Sequence, residues 1–297
     1  MSNSVAVAPL IDVTTPELAD AFGHSACPVR HRVDTGHPLL TREALVARAA
    51  AWPDPLVEHH RADLPFLLPD GKRTRLPLPA ADVVRGIDDN GCWVVLWSLE
   101  NTPQYEAFLE ECLAGVDPLA AREGGRTTSG LNLLVSSPGA VVPVHFDMHH
   151  NFLLQVEGTK EVMIGSYRDP AVTQRAVDRY YDERNNNARQ LPDIVSTFVL
   201  GPGDGLYIPP FAFHWVRGGP EASVGVSCGF RTRSTELTNR VHRINARLRR
   251  AGLHPAPPGR SALRDRAKVT AFDWARRARQ AGRAATTRAR RWLSPPR

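Results

Sequence analysis

The sequence predicts a mainly β domain of the sandwich or barrel type, with helices before it and a basic helical extension after it. Three observations carry this prediction. From Leu131 to Phe230 the chain falls into short apolar runs separated by turn signals such as Glu157-Gly158-Thr159, Pro202-Gly203-Asp204 and Gly218-Gly219-Pro220, the pattern of many short strands in a closed or double-layered β fold. Upstream of that region the chain shows helix-start signals and 3.6-residue apolar spacing. Downstream of Phe230 it turns helical and strongly basic.

Taken in order, Thr15-Pro16-Glu17 reads as an N-cap followed by proline at the first helical position, and that short helix stops near Gly23. A second helix starts at Thr41, carries Leu45 and Val46, and is broken by the WPDP run. Residues 62–80 are rich in Pro and Leu, with a PDGK turn at Asp70-Gly71. The segment Cys92 to Glu100 is an apolar strand. A helix follows with Tyr105, Phe108, Leu109 and Leu113 on one face. The later strands are LNLLVSS, VVPVHFD, NFLLQVEG, KEVMIGS, STFVL, GLYIPP, FHWV and SVGVSCGF. Between Tyr167 and Asp193 lies a polar stretch long enough to be a functional insertion or lid, and a solvated loop is the reading preferred for its Tyr180, Tyr181 and Arg184. Leu237, Val241, Ile244 and Leu248 then form one stripe on a helix with Ser234 as its N-cap and Gly252 as its C-terminal stop, and a second basic helix covers residues 263–293.

The 297 residues allow one large domain with appendages, and 42% hydrophobic content suffices for a core. Four separated cysteines without a CxxC pair argue against a zinc ribbon or a disulfide framework, and reduced thiols in a cytoplasmic protein are expected. The sequence shows no secretory signal and no run near the ~20 apolar residues of a membrane span. The net charge of +6 is divided unevenly. Residues 231–297 hold 19 Lys or Arg against 3 Asp or Glu, whereas residues 1–230 hold 18 against 28. The organisation expected is an N-terminal region over 1–120 that packs on the core, the β core over 121–232, and a basic extension over 233–297.

Chemistry concentrates at His145-Phe146-Asp147 and at His214. Strand side chains alternate, so His145 and Asp147 share a face while Phe146 points away. A second imidazole arriving from another strand, His214, completes a 2-His-1-carboxylate triad that leaves about half of an octahedral Fe(II) open. The plainer alternative is a strand His and Asp satisfied by neighbouring hydrogen bonds. Other features of the region favour the metal. Lys160 follows Gly158 in a chain with only three lysines against 34 arginines, and a compact cation there suits a carboxylate ligand. Asn151 opens the strand after the HxD turn. Ser223, Gly225, Ser227 and Gly229 keep one face of a strand small, either to leave room for a ligand or for ordinary packing. His149 and His150 read as turn or supporting histidines, and Trp215 as core.

With HxD, NFLLQVEGTK, PGDGLYIPPFAFHWV and SVGVSCGF on one chain, residues 92–232 resemble the JmjC-type cupin family, in particular the cupin-like branch that includes the asparaginyl hydroxylase of hypoxia-inducible factor. The resemblance implies a double-stranded β-helix (jelly-roll) core with flanking helices. It implies an Fe(II)- and 2-oxoglutarate-dependent dioxygenase that uses O2, most simply a hydroxylase of a protein, peptide or small molecule. Carried over, His145, Asp147 and His214 are the iron ligands, Lys160 pairs with the distal carboxylate of 2-oxoglutarate, and Asn151 acts near its chelating end. One position departs from the pattern. Relatives often place Thr or Ser three residues before the first His, where this chain has Val142. Lys160 would then hold the carboxylate with less help, drawn from Asn132 or a tyrosine. A non-catalytic cupin-like sensor or regulator acting through the basic tail is the alternative. For that tail, nucleic acid, an anionic lipid surface anchored by Val269, Phe272, Trp274 and Trp292, and packing in a homodimer through the Leu237–Leu248 helix remain open partners.

Overall fold

In the computed structural model, the backbone is described for residues 9–68, 70 and 72–293, and side chains through residue 277. Two residues of the expected PDGK turn, Pro69 and Gly71, lie outside the described residues, as does the Trp292 side chain. The chain divides into two compact units, Met1–Thr235 and Glu236–Arg297.

The first unit opens with helix α1 (Pro16–Ala21), where the Thr15 hydroxyl accepts from the Leu18 N–H at 3.3 Å. Strand β1 (Cys27–Arg30) follows, then α2 (Arg42–Ala51), capped by Thr41. Strand β2 (Val57–Arg61), helix α3 (Ala80–Arg85), strand β3 (Cys92–Leu96), helix α4 (Pro103–Leu113) and helix α5 (Asp117–Ala121) complete the N-terminal region. The strand expected to reach Glu100 ends at Leu96, because Ser98 takes a left-handed backbone (φ 59°) and residues 99–101 turn as a 3-10 helix.

The jelly-roll proper runs through β4 (Arg126–Ser136), β5 (Val141–Phe146), β6 (His150–Glu157) and β7 (Lys160–Ser166). Helix α6 (Pro170–Glu183) interrupts it before β8 (Ile194–Leu200), β9 (Asp204–Ile208), β10 (Phe213–Gly218) and β11 (Ser223–Thr232). The strands form two antiparallel sheets, ordered β1-β9-β6-β11-β4-β3-β2 and β5-β10-β7-β8. Strands β4 to β11 divide between the sheets as a double-stranded β-helix does. N-terminal strands β1, β2 and β3 extend the larger sheet at both edges.

Alternation along each strand decides what goes where. On β6, Phe152, Leu154 and Val156 join the main core with the helices, while Leu153 joins Val162, Leu206, Ile208 and Val216 in a smaller core between the sheets. Phe146, Phe213 and Trp215 face the outer side of the small sheet. The 167–193 stretch is therefore not a solvated loop. Its helix α6 lays Ala176, Val177 and Tyr180 over that outer face, and Tyr180 meets Phe146 edge-on with ring centroids 6.0 Å apart. Arg184 ends the helix in a left-handed conformation. The hairpin between β6 and β7 requires Gly158 (φ +70°), since a Cβ there would meet the Ala222 carbonyl oxygen at 2.4 Å.

Helix α7 (Arg233–Arg250) includes Ser234, the expected N-cap, as its second residue, and α8 spans Ala262–Leu293. Within the second unit, Leu237, Val241, Ile244 and Leu248 pack against Val269 and Phe272. The Lys268 ammonium donates to Asn245 Oδ1 at 2.7 Å, and Arg240 pairs with Asp273. Arg264, Arg266, Trp274, Arg276 and Arg277 remain exposed. Among the described residues, no helix is long and apolar enough to cross a membrane. All four cysteines are free and buried.

Candidate metal centre

Strand pairing brings the triad together. His145 on β5 lies directly opposite His214 on β10, with Phe146 beside Phe213. Their imidazole centroids are 4.2 Å apart, and one ligand atom from each of His145, Asp147 and His214 lies within 4.8 Å of the others. Each imidazole is oriented by the same local bond: Nδ1 of His145 meets the Pro143 carbonyl at 2.8 Å, and Nδ1 of His214 meets the Ala212 carbonyl at 2.9 Å. A carbonyl only accepts, so Nδ1 carries the proton and Nε2 keeps its lone pair. That Nε2 of His214 stands 3.7 Å from Asp147 Oδ2. The Asp147 carbonyl is tied to the Phe211 N–H at 2.6 Å, and Phe211 adopts φ +65° to make the bond.

The electrostatics suit a cation. Burial, together with the neighbouring His214, pushes the His145 imidazole down to about 4, so at neutral pH it is an uncharged donor. Burial opposes ionisation of Asp147, but His149, His145 and His214 outweigh it and hold the carboxyl below its ordinary value. Two imidazoles and one carboxylate form the donor set of a non-haem iron(II) centre.

The triad opens into a cavity of about 210 Å³ between the sheets, whose walls include Leu134, Val142, Leu153, Ile208 and Val216. Lys160 enters it from the far end. Its Cα pairs with Gly218, while His214 pairs with Ile164, four residues further along β7. At ~3.3 Å per residue the two levels are about 13 Å apart, a span shared by the lysine stem and a five-carbon keto diacid. Lys160 is 6% exposed, and its ammonium has no hydrogen-bond or ion-pair partner among the described residues. Burial alone lowers it to about 8. A buried, unpaired ammonium opposite a ligand triad calls for an anion, and the distal carboxylate of 2-oxoglutarate fits that demand.

The small-faced strand has a specific purpose. A Cβ on Gly225 would stand 3.2 Å from the Lys160 Nζ, and one on Gly229 would stand 2.8 Å from the His149 ring. Ser227 donates to Asn151 Oδ1 at 2.9 Å, fixing the Asn151 amide at the cavity wall. His150 points away from the cavity. It lies between Phe22 and Phe230 at 4.8 and 4.9 Å, nearly parallel to both. The Tyr207 hydroxyl accepts from the Gly23 N–H and donates to His150 Nδ1 at 2.7 Å, so His150 Nε2–H donates to Glu123. This buried chain fixes the start of β6 and with it His149 and Asn151.

Sequence reasoning missed several cavity residues: Arg73, Trp93, Trp97 and Asn186. Asn132 lines the cavity, but its Oδ1 accepts from the Ser98 N–H at 3.0 Å. No tyrosine lines the cavity among the described residues.

Comparison with known proteins gives a consistent picture. Residues 120–237 match the JmjC domain family. Over 108 residues the chain is 32% identical to the lysine-specific demethylase JMJ30 of Arabidopsis thaliana, covering 32% of this chain and 24% of that protein. Over 92 residues it is 35% identical to the Jumonji C domain-containing protein 5 of Drosophila melanogaster, covering 27% and 22%. The chain thus spans about a quarter of the length of these curated relatives. Among solved structures, Escherichia coli YcfD superposes with a TM-score of 0.53 at 15% identity, covering 86% of this chain and 63% of that one. YcfD described as a ribosomal oxygenase in complex with cobalt and 2-oxoglutarate gives 0.51 at 15%, covering 90% and 67%. At such identity the likeness establishes the jelly-roll fold.

Proposed function

We propose, from the match of residues 120–237 to the JmjC domain family, that the chain is an Fe(II)- and 2-oxoglutarate-dependent oxygenase that hydroxylates a protein, peptide or small-molecule substrate. The observation that carries this reading is the pairing of the His145-Asp147-His214 triad with the unpartnered Lys160 ammonium across one cavity. Bound iron would supply O2 activation coupled to oxidative decarboxylation of 2-oxoglutarate.

The chain's own residues supply position, charge and dryness. His145, Asp147 and His214 would hold the metal on one face and leave the opposite face to cosubstrate and O2. Lys160 would neutralise the distal carboxylate, and Asn151, steadied by Ser227, would present its amide near the chelating end. Leu134, Leu153, Ile208 and Val216 exclude water from the reacting centre. No ionisable general base is needed, and Asp147 is the only carboxylate among the described cavity residues.

The reading is tested by incubating the iron-loaded full chain with 2-oxoglutarate and a cell extract. Succinate should form alongside a substrate gaining one oxygen atom, and both should be lost in His145→Ala. Metal-loaded protein that binds 2-oxoglutarate but makes no succinate with any extract would support a sensor instead.

A further inference from the structure

Helix α8 has two apolar faces, and only one of them is used inside its own unit. On the inward face, Val269 and Phe272 close the Leu237, Val241, Ile244 and Leu248 stripe of α7. Both carboxylates of α8 are engaged there as well. Asp265 is buried and accepts from the Gly259 N–H at 2.7 Å, and Asp273 pairs with Arg240.

The opposite face is open. Leu263, Ala267, Ala271 and Trp274 follow one another at helical spacing, and all four are exposed, Leu263 at 80% and Trp274 at 74%. The same helical step continues along α8 through alanines alone until it reaches Trp292. None of the ten Lys or Arg and two Asp of residues 262–293 falls on this stripe. A surface with two tryptophans and a leucine, free of charge over a 32-residue helix, is costly to leave in water.

Charge decides what covers it. By helical spacing Arg264 borders the stripe on one side and Arg277 on the other, and both are exposed. Neither Asp of α8 stands on that side to pair with them. A second copy of the same face would bring arginine against arginine. Nucleic acid would take the arginines and leave Leu263 and Trp274 in water. A lipid surface bearing phosphates satisfies both sets, since apolar side chains enter the acyl boundary while flanking guanidiniums rise to the headgroups. We propose that α8 lies flat on an anionic lipid surface, with the Leu263–Trp274 face sunk into it and the bordering arginines on lipid phosphates. The helix rests on the surface without crossing it, in keeping with its many charges on the other faces.

The inference stands apart from the oxygenase reading and is tested without substrate. Full-length protein is floated with vesicles of phosphatidylcholine alone and of phosphatidylcholine mixed with phosphatidylglycerol. Binding to the mixed vesicles should be at least about tenfold tighter than to phosphatidylcholine alone. Trp274→Ala should weaken binding to the mixed vesicles about tenfold through lost apolar burial. The double variant Arg264→Ala, Arg277→Ala should reduce the preference for anionic lipid, again about tenfold. All three side chains are exposed, so circular dichroism of the variants should match the wild type. Vesicle binding that Trp274→Ala leaves unchanged would reduce the contact to charge alone and overturn the proposed face. Absence of vesicle binding would also overturn it, whether the protein then binds a mixed-sequence RNA in a salt-sensitive way or forms a dimer that Trp274→Ala dissociates.

Discussion

Lys160 is the residue at which folding and function oppose each other. Its ordinary value of 10.5 falls to about 8 on burial, so the folded protein favours the neutral amine. Above 10.5 the group is neutral in both states and carries no penalty. As pH falls from 10.5 to 8 the unfolded chain binds the proton first, and the penalty grows to its full size, on the order of 3 kcal/mol. Lys160→Met should therefore raise the chemical-denaturation stability of the ligand-free protein at pH 7 by about 1–3 kcal/mol while abolishing 2-oxoglutarate binding. Wild-type affinity for 2-oxoglutarate should fall above pH 8 by about tenfold per pH unit, with proton uptake on binding. A destabilised Lys160→Met variant, or flat affinity from pH 7 to 10, would remove the lysine from this role. The HxD pair, His214, Lys160 and Asn151 were legible because spacing, strand alternation and family likeness all point to them. Arg73, Trp93 and Asn186 were not, because they reach the cavity from segments remote in sequence and none sits in a recognisable motif.

At the scale of elements, strand β11 shows how a backbone makes room for chemistry. Its cavity face carries Ser223, Gly225, Ser227 and Gly229, while Val224, Val226, Cys228 and Phe230 fill the core on the other face. Gly225→Ala would place a methyl 3.2 Å from the Lys160 ammonium and 3.3 Å from the Leu154 carbonyl. The lysine end can swing away, but the carbonyl of paired β6 cannot. We expect a folded variant, destabilised by about 1–2 kcal/mol, whose 2-oxoglutarate affinity drops at least about tenfold. Wild-type affinity in Gly225→Ala would return this glycine to ordinary packing. The long apolar strands and the capped helices could be read from pattern and cap residues. Strands β1 and β2 could not: CPVR and VEHHR are short and polar, and pairing with β9 and β3, rather than propensity, makes them strands. Helix α6 was hidden because its apolar face is only a few residues wide within a polar stretch.

For the whole molecule, the division of charge follows the division of structure. The first unit carries the cavity and nearly all of the acidic residues, and the second is a basic helical pair whose apolar stripe is covered within the unit itself. The central claim concerns the first unit. It holds that two sheets bring a metal triad to one end of a cavity and an unpaired ammonium to the other, at a separation set by strand register. The most direct measurement is an anaerobic crystal structure of the full chain with Mn(II) and 2-oxoglutarate, with the metal located by anomalous scattering. The account predicts one ion bound by His145, Asp147 and His214 and a distal carboxylate on Lys160. An ion bound elsewhere, or a carboxylate turned away from that ammonium, would contradict it.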